Sequence, residues 1–226
     1  MRLPRSTAIF RNRSEAGRLL AGKLSDYAHR DDVLVLALPR GGVPVAYEIA
    51  TALEVPLDVF VVRKIGLPGH EELAIGAIAS GGSRMLNEQI IEAYDIDPRD
   101  IDDVVRREQA ELERREREYR GDRPFPDLRN KTVILVDDGL ATGSTMHVAV
   151  EALRSEGAKR IVVAVPVAPP DTCAAFRRIA DDIICASTPE PFYAVGLWYA
   201  DFSQTTDEEV HELLEAARNA THASIR

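Results

Sequence analysis

Apolar residues along this chain gather in short continuous runs, with longer segments between them in which they recur every third or fourth position. The runs are 33–38, 57–62, 133–136, 161–167 and 183–186. Runs without alternation describe strands buried on both faces, as in a parallel sheet covered by helices. Helical periodicity is expected over 10–30, with Ser14 as N-cap and Ala16, Leu19, Leu20, Leu24 and Tyr27 as its inward stripe, and over 43–53, 87–94, 98–119, 145–155, 172–180 and 207–217. Strand, helix, strand at this spacing is a βαβ unit with a right-handed crossover. The fold class expected is therefore α/β, a doubly wound and mostly parallel sheet that binds its ligand at the carboxyl ends of the strands.

Two stretches break this rhythm. Gly66, Pro68 and Gly69 suggest a mobile loop, with Glu71, Glu72 and a short alternating segment behind it, so 65–82 is expected to form a flexible lid. Residues 84–129 are expected to be a helical insertion. Its long helix is mostly charged, with Ile101, Val104, Val105, Leu112 and Tyr119 as a thin apolar stripe and Glu111–Arg115, Glu113–Arg117 and Glu116–Arg120 in the favourable order four apart. Segment 187–226 reads as a C-terminal extension of the same domain, with 193–199 extended.

At 226 residues, 45% apolar and 29% charged, the chain has the length of one domain with a core of ordinary size. A net charge of -9 argues against nucleic acid or an anionic membrane as the main partner. No apolar run reaches the length of a membrane span, and the basic start, residues 1–6, has no apolar stretch behind it. Cys173 and Cys185 have no companion ligands, so neither a zinc site nor a redox pair is indicated, and the cytoplasm is the expected location.

The most informative stretch is Val133-Ile134-Leu135-Val136-Asp137-Asp138-Gly139-Leu140-Ala141-Thr142-Gly143-Ser144-Thr145. A buried strand delivers two carboxylates to its carboxyl end. A loop of small residues and hydroxyls then opens a helix, whose free N–H groups and positive dipole end suit an anion. Thr142, Ser144 and Thr145 add hydroxyl donors, and Gly143 lets the backbone close on phosphate oxygens. Asp137 and Asp138 can accept hydrogen bonds from vicinal ribose hydroxyls or hold a metal through water. No Lys follows Gly143, which rules out a Walker loop.

This pattern resembles the phosphoribosyl-pyrophosphate (PRPP) loop of the type I phosphoribosyltransferases. Pro39-Arg40-Gly41-Gly42, after the first strand, is similar to their pyrophosphate loop, with the Arg-Gly of the adenine enzymes. Arg63-Lys64 followed by Gly66-Leu67-Pro68-Gly69 resembles those enzymes' hood loop. The resemblance implies PRPP and Mg²⁺, with the loop Gly139–Thr145 on the 5-phosphate and Asp137 and Asp138 on the ribose, holding the metal only indirectly. It implies Arg40, Gly41, Gly42, Arg63 and Lys64 on pyrophosphate. A lid would exclude water from an oxocarbenium-like ribose, and Glu71 or Glu72 would be placed to take a proton from the acceptor.

The acceptor half departs from the family. Ala141 stands where the 6-oxopurine enzymes carry an Asp, and the insertion 84–129 matches neither group. The tail Phe192-Tyr193-Ala194-Val195-Gly196 is similar to their base-binding segment, which makes Tyr193 or Trp198 candidates to stack on a flat base. The expected function is transfer of the phosphoribosyl group to a nitrogenous acceptor, with a purine-type base as the first candidate and a homo-oligomer left open. The alternative is a non-catalytic PRPP- or nucleotide-sensing regulator with the insertion as its interaction arm. Of the five histidines, only His70, in the lid, is a candidate for a role.

Overall fold

The computed structural model describes residues 8–224; the basic start, 1–6, lies outside them. The first helix, α1 (Arg13–Gly22), is shorter than its periodicity suggested and is capped by Asn12, not Ser14: the Asn12 side chain accepts from the Glu15 N–H. Phe10 stays outside it and bridges to Tyr199, and a 3₁₀ turn at Ser25–Tyr27 follows. The chain then lays down β1 (Val33–Ala37), α2 (Gly42–Leu53) and β2 (Leu57–Val59).

The single strand expected over 57–62 divides here. Val59 ends β2, and Val62 opens β3 (Val62–Leu67) in a second sheet with β4 (His70–Ala79) and β5 (Arg84–Leu86). The segment expected as a mobile loop is therefore largely an antiparallel hairpin: Val62 pairs with Ala79, Lys64 with Ala77 and Leu67 with His70, leaving Pro68-Gly69 as the turn. Its apolar side chains explain the difference. Ile65, Leu67, Ile75 and Ile78 are buried in one cluster with Ile101, Val104 and Leu112 of the insertion. Glycine and proline mark the turn, but burial of this face decides that the flanks are strands.

The insertion carries α3 (Glu88–Ala93) and α4 (Pro98–Arg120). Ile101, Val104, Leu112 and Tyr119 are buried along α4, which packs against β3 and β4. It is thus a brace behind the hairpin rather than a free arm. The expected pairs Glu111–Arg115 and Glu116–Arg120 form at 2.8 and 3.0 Å. Arg120, 4% exposed, also meets Asp58 of β2 at 3.1 Å and donates to the Val59 carbonyl, tying the brace to the main sheet.

The chain completes the main sheet with β6 (Thr132–Val136), α5 (Ser144–Ser155), β7 (Arg160–Val167), α6 (Pro170–Phe176) and β8 (Asp182–Ser187). A 3₁₀ turn at Val195–Trp198 replaces the extended stretch expected there, and α7 (Asp207–Ser224) follows, docked on α2 and α4. The main sheet is wholly parallel, in the order β2-β1-β6-β7-β8. Alternate residues serve opposite layers. Val33, Val35, Ile134 and Val136 pack under α1, α2 and α7, whereas Leu34, Leu36, Val133 and Leu135 pack under α5 and α6. This two-sided burial is why the strands read as unbroken apolar runs.

Cys173 of α6 and Cys185 of β8 are joined as a disulfide, which corrects the expectation that the cysteines form no pair. A spacing of twelve carries no pairing signal by itself; the packing of α6 on β8 brings the two together.

Candidate functional site

In the order β2-β1-β6-β7-β8 the sheet reverses its direction of growth between β1 and β6. Chain segments leaving such neighbours diverge to opposite faces, opening a crevice at their carboxyl ends. Both phosphate-type loops expected from the sequence leave the sheet at this point. They are latched at the base by the Leu38 N–H, which donates to the Val136 carbonyl at 2.9 Å.

The loop after β6 is held by its neighbours through the parts that cannot face a ligand. Leu140 is 2% exposed, and its N–H donates to the Val167 carbonyl at 2.9 Å. Thr172 Oγ1 donates to the Ala141 carbonyl at 3.1 Å. Gly143 sits at φ +74° with the Phe176 ring where a Cβ would lie 2.5 Å away, so both conformation and space require glycine. What remains open is the ligand-facing set: Ala141, Thr142, Ser144 and Thr145 are exposed around a cleft of about 140 Å³ at the start of α5. A roomier hollow of about 330 Å³ borders His29, Glu54 and Pro56 at the amino ends of the strands, away from both loops. Volume is therefore a poorer guide here than the convergence of anion-binding groups.

The acidic pair lies between the two loops. Asp137 Oδ1 accepts from the Asp138 N–H at 2.8 Å. The Asp138 carboxylate rests on Gly41, where any Cβ would overlap it. Burial pushes the Asp137 carboxyl well up from its usual range, and the neighbouring Asp138 charge adds to this. Asp138 is also pushed up by burial, but the Arg13 guanidinium opposes the shift. Arg13 meets Asp138 Oδ2 through Nε at 2.9 Å and through a terminal nitrogen at 2.8 Å. Tyr199 donates its hydroxyl to the Asp138 carbonyl at 2.5 Å, and its own pKa is raised, first by burial.

The expected cations separate. Lys64 reaches the loop, its Nζ 2.9 Å from Ser144 Oγ. Arg40, after a cis Pro39–Arg40 peptide, stands 3.4 Å from the Asp207 carboxylate at the start of α7. Arg63 does not join them: it points to α4 and meets Glu108 at 2.5 Å. Side chains alternate across a strand, so Arg63 and Lys64 cannot face the same way. Glu71 and Glu72 are exposed on β4, Glu71 at 4.0 Å from Arg107, and His70 is exposed at the hairpin turn.

Of the two aromatic candidates, Tyr193 is 72% exposed, whereas Trp198 is packed with Phe10 and Tyr199 and is not open to a flat ligand. Arg13, Tyr199 and Asp207, absent from the sequence-based candidates, contact the two loops, and Phe202 stacks on Arg13 and Tyr199 behind them. Local sequence offers no signal for them, since Arg13 and Asp138 are 125 residues apart. Among the described residues no cluster of three or more metal-ligating side chains exists, and no helix is long and apolar enough to cross a membrane.

The family described as phosphoribosyl transferase domain matches residues 6–189. Two Mycobacterium tuberculosis proteins provisionally named phosphoribosyl transferases are 44% identical over 209 residues, 92% of this chain and 47% of theirs. The chain thus spans about half the length of these curated relatives. A crystal structure of the Thermus thermophilus protein TT1426 is 40% identical, with a TM-score of 0.79, covering 91% of this chain and 97% of the other. A uracil phosphoribosyltransferase from Ligilactobacillus salivarius is 44% identical over 57 residues, 25% of this chain and 27% of that protein.

Proposed function

The chain belongs to the phosphoribosyl transferase domain family, and from that premise we propose that it transfers the 5-phosphoribosyl group of PRPP to a nitrogenous acceptor, releasing pyrophosphate. A purine-type base is the first acceptor to test, in the nucleotide metabolism of the cytoplasm. The observation that carries this reading is the convergence of two anion-type loops on one acidic pair, with Asp138 seated against Gly41. One loop would take the 5-phosphate, through the N-terminus of α5 and the hydroxyls of Thr142, Ser144 and Thr145. The other, through Arg40, Gly41 and Gly42, would take pyrophosphate, with Lys64 closing from the hairpin. Asp137 and Asp138 would accept from the ribose hydroxyls. Arg63 remains a pyrophosphate candidate only if Glu108 releases it.

In the reaction, the bond from the anomeric carbon to pyrophosphate breaks with its electron pair leaving on pyrophosphate, and the acceptor nitrogen bonds to that carbon. Lys64 and Arg40 would stabilise the departing charge more than the ground state. The proton lost from the acceptor would pass to Glu71 or Glu72, and Tyr193 would stack on a flat acceptor. Two carboxylates, with no third metal-ligating side chain beside them among the described residues, suit Mg²⁺, which keeps water and substrate oxygens in its shell. Asp137 and Asp138 would hold it indirectly, and it would neutralise pyrophosphate.

The test is a screen of purines, pyrimidines and small amines for pyrophosphate release from PRPP with Mg²⁺. The double variant Asp137→Asn, Asp138→Asn serves as control and should lose both turnover and the PRPP-induced rise in melting temperature. Tight PRPP binding with no release from any acceptor would instead establish the regulator.

A further inference from the structure

The Arg13–Asp138 pair joins the first helix to the centre of the site. It is well enclosed, with side chains 12% and 16% exposed. The guanidinium is fixed on all sides. Nε and one terminal nitrogen share Asp138 Oδ2, the other terminal nitrogen donates to the Ser203 carbonyl at 2.7 Å, and the group lies 3.9 Å over the Phe202 ring. A planar group with five donors can make this set of contacts; an ammonium cannot. Asp138 is held from the backbone side as well, by the Tyr199 hydroxyl on its carbonyl. The same oxygen, Oδ2, also lies against Gly41, the residue just before α2, which confines that side of the carboxylate. A carboxylate gripped in this way has one oxygen committed to Arg13 and the other free to accept.

We propose that Arg13 is a positioning residue of the ribose site: it commits Asp138 Oδ2, leaving Oδ1 as the acceptor for one hydroxyl of the vicinal ribose pair while Asp137 serves the other. This rests on the reading of the crevice as a PRPP site. A free carboxylate rotates and samples geometries that suit no hydroxyl, so holding it beforehand removes an ordering cost from binding. The stacked Phe202 and the Ser203 carbonyl hold the guanidinium, and through it a segment far along the chain sets the geometry of the acidic pair. Arg13 would not touch the substrate itself.

The experiment is titration calorimetry of PRPP with Mg²⁺ on the unmodified chain, Arg13→Met and Arg13→Lys, with ligand-free melting curves for all three. Ribose 5-phosphate and 2-deoxyribose 5-phosphate are titrated alongside. Arg13→Met should weaken PRPP by about tenfold or more, the scale of one charge-assisted contact, and narrow the preference for ribose over deoxyribose phosphate by about fivefold. Arg13→Lys should recover part of both. A folded Arg13→Met chain with PRPP affinity and sugar preference within about twofold of the original overturns the proposal. So does a loss of affinity that leaves the sugar preference unchanged, which marks a purely structural role. If the methionine variant does not fold, the lysine variant decides: a narrowed preference supports the proposal and unchanged values overturn it. Failure of the unmodified chain to bind PRPP removes the ribose site itself, and the role of Arg13 with it.

Discussion

Lys64 of the hairpin and Ser144 at the first turn of α5 are 2.9 Å apart, eighty residues apart in sequence, so the hairpin touches the loop proposed to hold the 5-phosphate. Lys64 is thereby set beside the crevice. Lys64→Ala should lower pyrophosphate release by on the order of a hundredfold while weakening PRPP binding far less, because charge on pyrophosphate builds up in the transition state. Steady-state kinetics beside calorimetry separates the two effects. An equal loss in both would mean that Lys64 merely binds.

Arg120 and Asp58 form a buried ion pair at 3.1 Å between the brace helix and an edge strand of the main sheet. Arg120→Met leaves Asp58 enclosed without its cation, and urea denaturation should show a loss of about 3–5 kcal/mol. Converting Asp58 to an apolar residue as well should restore most of it. If the double variant is no more stable than the single one, the cost lies in the arginine's packing instead.

Tyr119 donates to the Asp207 carboxylate at 2.5 Å, and Arg40 approaches the same carboxylate from the loop after β1. Burial raises the tyrosine pKa, so the hydroxyl stays protonated and donating throughout the neutral range. Tyr119→Phe should cost about 1.5 kcal/mol, the low end for a bond to a charged group, because Asp207 is partly open to solvent. Chemical denaturation checks the figure. A neutral effect would show that α7 docks by its apolar face alone.

The acidic pair links pH to stability. Burial first, and the Asp138 charge second, raise the Asp137 pKa in the folded chain, which therefore holds that proton more tightly than the unfolded chain does. Its contribution favours folding at low pH and is lost as pH rises through the raised value. Asp137→Asn should remove this decline, raising the ligand-free melting temperature at neutral pH while abolishing the rise caused by PRPP. Melting curves from about pH 4 to about pH 8 test the sign, and a lower neutral melting temperature in the variant would contradict it.

Much of the site was legible because its chemistry is local. The loop after β6 needs consecutive small and hydroxyl residues behind an acidic pair, and Asp137–Thr145 supply them within nine positions of one another. Arg40-Gly41-Gly42 is equally compact. By contrast, Arg63 and Lys64 are adjacent in sequence and opposite in space, because β3 sends one to Glu108 and the other to Ser144. A strand rather than a loop at this position also explains why the expected mobile segment is mostly paired. Trp198 is aromatic and near the tail, but only the turn at Val195–Trp198 determines that it packs inward while Tyr193 faces out.

The parallel α/β architecture and the two candidate anion loops after β1 and β6 were legible in the sequence alone, through uninterrupted apolar runs and motifs whose members are neighbours along the chain, whereas the strand order that sets them side by side was not. The tertiary structure alone decided which distant groups close the crevice: Arg13 on Asp138, Tyr199 on its carbonyl, Asp207 beside Arg40, and α4 as a brace rather than an arm. The reason is physical. Burial patterns and turn chemistry act through adjacent residues, whereas these pairings depend on how helices settle on opposite faces of the sheet, and no local pattern records that.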